Sequence, residues 1–61
     1  MNYHQAIIDL RKKHGLSFCQ NPGGGEFNHP VHGRCQVYLW DDKDDYKKLM
    51  AWLIEKGLET S

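Results

Sequence analysis

The chain has 61 residues, with eight basic and eight acidic side chains and no net charge when its histidines are neutral, so no overall electrostatic footprint directs it to nucleic acid or an anionic membrane. At this length a fold buries only ~60% of the surface its unfolded chain exposes, which limits residues 1–61 to a single small domain and favours an added staple such as a metal or a second copy. No apolar run approaches the ~18 residues of a membrane span, and MNYHQAII lacks the basic-then-apolar layout of a secretory signal.

A cytoplasmic protein without a membrane partner is therefore expected, its two cysteines reduced rather than joined as a disulfide scaffold. Residues 2–14 are predicted to form an amphipathic helix, because Tyr3, Ala6, Ile7, Leu10 and His14 fall at offsets that share one helical face. Asn2 is placed to cap it, Lys12, Lys13 and His14 suit the negative end of its dipole, and Gly15 supplies the left-handed stop. Leu16 then folds back on the helix. Residues 16–19, LSFC, read as a short strand with Leu16 and Phe18 on one side.

Residues 20–33 are expected to form a long loop rich in Gly, Pro and His. NPGGG exposes backbone N–H groups that suit an anion or a partner backbone. The phosphate-cradling motifs, however, place a helix directly after the glycines, and here EFNHP follows. Cys19, His29, His32 and Cys35 bracket this stretch and make up a sufficient donor set for tetrahedral zinc. The tight Cys-x2–4-Cys knuckle of familiar fingers is missing. Two buried free thiols are the competing expectation, since Cys35 shares the phase of Val37 and cysteine packs as a small hydrophobe. Glu26, His29 and His32 have the chemistry of general acids and bases but no orienting third group, so no catalytic residue is assigned and an enzyme is not expected.

Residues 35–40 alternate, with Cys35, Val37 and Leu39 predicted inward and Gln36, Tyr38 and Trp40 outward. Four aspartates at 41, 42, 44 and 45 crowd the start of a second helix, with Asp41 or Asp42 as its cap. They lack the glycine turn and distant glutamate of an EF-hand. Tyr46, Leu49, Met50, Leu53 and Ile54 form its apolar stripe, and Gly57 ends it.

The expected fold is therefore α+β: helix, strand, long loop, strand, helix, with an antiparallel sheet of two or three strands covered by both helices. A two-stranded ribbon leaves its edges open, so either residues 26–31 add a third strand or two chains join in a homodimer. The leading functional expectation is a small adaptor, regulator or inhibitor-type module that binds another protein through Phe27, Tyr38 and Trp40, oriented by Asp41 and Asp42 and assisted by the Gly-rich loop. One alternative is the zinc-stabilised module just described. The other is a single-strand nucleic-acid binder using Arg11, Lys12, Lys13 and Arg34 with Tyr38 and Trp40 as stacking platforms.

Overall fold

The computed structural model describes residues 1–60. In chain order these form helix α1 (Tyr3–His14), strands β1 (Ser17–Asn21), β2 (Gly24–His29) and β3 (Gly33–Val37), and helix α2 (Asp42–Glu55). The strands make an antiparallel meander in the order β1-β2-β3, giving an α+β domain.

Both helices begin and end where the capping residues dictate. Asn2 accepts from the Gln5 N–H at 3.1 Å and Asp41 from the Asp44 N–H at 2.8 Å, each satisfying an otherwise unpaired donor of a first helical turn. At the far ends Gly15 and Gly57 adopt φ of 65° and 76°, so the Leu16 and Leu58 N–H groups turn back to the Arg11 and Leu53 carbonyls at 2.9 and 2.8 Å. Leu16 is delivered into the core and Leu58 against it.

The two helices run parallel along the sheet. The first residue of α1 meets the early part of α2, with Tyr3 and Tyr46 ring centroids 5.4 Å apart. At the other end His14 Nε2 and Lys13 Nζ lie 2.6 and 2.7 Å from the Glu59 carboxylate, tying the chain beyond α2 to the close of α1. These two partners hold the Glu59 carboxyl below the usual carboxylate range, Lys13 contributing most.

Residues 20–33 are not one long loop. β2 runs through them as the central strand, leaving a two-residue turn at Pro22–Gly23 and a three-residue turn at Pro30–His32. The third strand anticipated at 26–31 thus exists, starting two residues earlier at Gly24. Its start was hidden because glycines carry no side chain and so no alternation. They are required there for space. A Cβ on Gly24, whose φ is 136°, would lie 2.4 Å from the Val37 carbonyl oxygen, and one on Gly25 would lie 2.5 Å from the Phe18 ring.

The register places Phe18, Phe27 and Cys35 in one row across the sheet. With Val37 they form its helix-facing side, and Ile7, Leu10, Leu49 and Leu53 close the core. Val37, Leu49 and Leu53 are fully buried, each contributing roughly 1.5–3 kcal/mol of transfer free energy. Cys19, Glu26 and Gln36 make the adjacent row, which by strand alternation faces away from the helices.

Gly24→Ala is expected to lower unfolding stability in urea by roughly 2 kcal/mol or more, because both the φ and the backbone contact resist a Cβ. Gly23→Ala, whose nearest neighbour would be a side-chain oxygen at 3.7 Å, should change it by about 0.5 kcal/mol or less. Equal effects would show that the close approach at Gly24 is not a constraint.

Candidate functional site

β3 ends at Val37, three residues short of where alternation would carry it. Leu39, expected inward, instead takes φ of 61° and is 40% exposed, a left-handed conformation that costs a residue with a Cβ about 1–2 kcal/mol. The compensation comes from α2. Asp45, only 5% exposed, accepts the Leu39 N–H at 3.2 Å through Oδ1. Gly24 lets β2 pass close beneath Val37 and Tyr38, so the segment is held from below by the sheet and from the side by the helix.

The segment displays two aromatic rings. Tyr38 and Trp40 stack on each other at 5.0 Å between centroids and 22° between planes. Trp40 is 78% exposed and Tyr38 43%, so Trp40 keeps most of its surface in water and Tyr38 a little under half. The Lys48 ammonium sits 4.7 Å above the Tyr38 ring, and Asp44 and Lys47 complete a mixed-charge rim around a shallow hollow beside the rings. Asp41, which caps α2, and Asp42 follow the rings in the chain and are both exposed.

Asp45 is the unusual member of the acidic cluster. Burial raises its carboxyl above the ordinary range; the Leu39 N–H opposes this, and Asp42, Asp41 and Asp44 add repulsion in the same direction as burial. A group whose folded pKa is raised contributes stability that is present below its unfolded pKa and lost as pH rises through the folded value. At neutral pH the turn is thus held by a carboxylate that disfavours its own charge.

Phe27 does not join Tyr38 and Trp40 on the exposed surface. It is 3% exposed, its ring tilted 50° to that of Phe18 with centroids 5.1 Å apart in the centre of the core row, because residue 27 lies on the helix-facing side of a strand rather than in a loop. The proposed zinc donors do not converge either. Cys19 and Cys35 fall in adjacent rows of opposite facing, and the Cys35 thiol is buried, lying 3.9 Å from the Lys48 carbonyl. Burial raises the Cys35 pKa, with Lys48 only partly offsetting it, so the thiol stays protonated.

His29 and His32 do come together, with ring centroids 4.8 Å apart. Yet His29 Nδ1 accepts the Val31 and His32 N–H groups at 3.0 and 3.1 Å, so its lone pair is committed to the turn and its proton belongs on Nε2. Among the described residues no group of three or more His, Cys, Asp and Glu side chains is arranged to hold a metal. Glu26 pairs with Arg34 at 3.3 Å on the open face, away from any acid–base constellation with the histidines.

The basic residues are dispersed as well. Arg34 pairs with Glu26 and Lys13 with Glu59, while Arg11 lies over the Phe18 ring at 5.7 Å. Composition had pointed to none of the groups that shape the turn: Asp45 reads as one more capping acid, and Leu39 as a core residue. The available signal was redundancy, since one cap needs one acceptor and four aspartates are present.

No protein-family model, curated protein or solved structure matches the chain. Among the described residues no helix is long and apolar enough to cross a membrane.

Asp45→Asn keeps an acceptor for Leu39 and removes the buried charge, so it should leave stability at pH 7 unchanged or higher, measured by urea unfolding. Asp45→Ala orphans the Leu39 N–H and should cost about 1–3 kcal/mol. Separately, burial lowers the His29 pKa, with His32 and then His14 adding to it. Stability from the neutral ring is present above the unfolded value and lost as pH falls. Amide exchange at Val31 and His32 should therefore accelerate beyond its intrinsic pH trend between roughly pH 7 and pH 5, while Phe27 stays protected.

Proposed function

We propose that the protein is a small binding module that engages another protein through the stacked Tyr38 and Trp40 pair, with Asp41 and Asp42 orienting the partner. The single observation that carries this reading is the exposure of Trp40 on a segment held in a strained conformation by Asp45. A large aromatic presented rigidly surrenders little conformational entropy when covered, which is the property of an interface anchor. The mixed rim of Asp44, Lys47 and Lys48 suits a polar protein border. The dispersal of Arg11, Lys13 and Arg34 weighs against a continuous phosphate track.

A photo-crosslinking side chain at Lys47, beside the rings, tests the proposal in cells. It should give a discrete protein adduct that nuclease does not remove and that falls at least tenfold when Tyr38 and Trp40 are both replaced by serine. Because both rings are exposed, the same double substitution should leave the circular dichroism spectrum intact and shift the melting midpoint only slightly. An unchanged adduct in a folded double variant would discard the aromatic surface as the contact, and a nuclease-sensitive adduct would transfer the reading to single-stranded nucleic acid.

A further inference from the structure

A second concavity lies on the other side of the same turn. It separates α1 from the segment leading into α2, with Ile7 and Phe27 at its floor and Ile8, Phe18 and Leu39 along its walls. Leu39 lines this groove, whereas its neighbours Tyr38 and Trp40 line the hollow beside the aromatic stack. The strained φ of Leu39 therefore divides two recognition surfaces.

The groove measures about 230 Å³, below the ~300–1,000 Å³ of sites that enclose a cofactor or drug-sized ligand. It has the scale of a socket for a side chain. Its two ends differ in charge. Arg11 stands at one end, held over Phe18, and its Nε is buried without a hydrogen-bond acceptor. Among the described residues Arg11 forms no salt bridge. Asp42 stands at the other, with buried Asp45 behind it and His4 beside it. That assignment of ends follows from the parallel helices, which bring the starts of α1 and α2 together.

From His4 to Arg11 along α1 is about 10 Å at 1.5 Å per residue, the span of roughly three residues of extended chain. We infer that the groove takes one apolar side chain of an extended partner segment. That segment carries a basic residue met by Asp42 and, about three positions away, an acidic residue met by Arg11. The inference rests on the reading of the chain as a protein-binding module and specifies the chemistry of a second contact.

The test uses the full chain, labelled with 15N, titrated with three capped tetrapeptides: Lys-Phe-Ala-Glu, Lys-Phe-Ala-Lys and Glu-Phe-Ala-Glu. The first should move the Ile8, Arg11 and Leu39 amides and bind about tenfold more tightly than either like-charged peptide. Arg11→Gln should erase its advantage over Lys-Phe-Ala-Lys, Arg11→Lys should restore it, and Asp42→Asn should erase its advantage over Glu-Phe-Ala-Glu. Each variant is checked for an unchanged amide spectrum away from the groove. Replacing Tyr38 and Trp40 by serine should leave tetrapeptide binding unaltered, which separates this site from the aromatic one. Equal affinity for all three peptides, or absence of shifts at Ile8 and Arg11 at millimolar peptide, would overturn the groove assignment. Shifts confined to Tyr38 and Trp40 would overturn it too, while leaving the aromatic surface standing.

Discussion

The close passage of β2 beneath the end of β3 is the constraint on which the rest of the structure depends. Gly24 and Gly25 have no Cβ to collide with the Val37 carbonyl or the Phe18 ring, so the central strand can seat fully between its neighbours. That seating aligns Phe18, Phe27 and Cys35 in one row. The row gives Leu49 and Leu53 of α2 and Ile7 and Leu10 of α1 a common surface to cover. In a chain this short, one well-packed layer supplies most of the apolar burial available. Spacing between three adjacent glycines and a phenylalanine six residues before the middle one is thus a packing specification rather than a flexible loop.

The same passage determines where β3 must stop. Beyond Val37 the chain leaves the sheet, reverses through Leu39 and enters α2 at the Asp41 cap. A leucine at φ 61° is unfavourable by itself, and the Asp45 carboxylate that restrains it is buried against its own preference for water. Two unfavourable local states sustain one another here. The result is a pair of aromatic rings on one side and an apolar groove on the other, flanking one hydrogen-bonded turn. Local strain that persists because its surroundings over-determine it is concentrated at sites of interaction, and this is the physical ground of the proposal that the turn carries the contact surfaces.

The other end of the molecule has a different character. There the Glu59 carboxylate draws Lys13 and His14 together and closes the space past Gly57, and His29 uses its ring nitrogen to cap the β2–β3 turn. His29, which resembled a metal ligand or acid–base group in the sequence, serves as an acceptor for the backbone. Its ring nitrogen satisfies two N–H groups of the turn that no strand pairs.

Both helices, their caps and their glycine stops were legible in the amino-acid sequence, because helix periodicity and capping are decided within a few neighbouring residues. The α+β class, the inward phase of Cys35 and Val37, and the prominence of Tyr38 and Trp40 followed from the same local rules. β2 was not legible as the central strand, since its glycines answer to Phe18 and Tyr38 across the sheet, and Phe27 could not be recognised as core until the strand around it existed. Leu39 and Asp45 depended on each other six residues apart, and Arg11 was brought to Phe18 and the groove only by the docking of α1 on the sheet. Local spacing thus determined the elements and their faces. Tertiary packing alone decided which of those faces were buried, because burial and close approach are properties of pairs that no single segment contains.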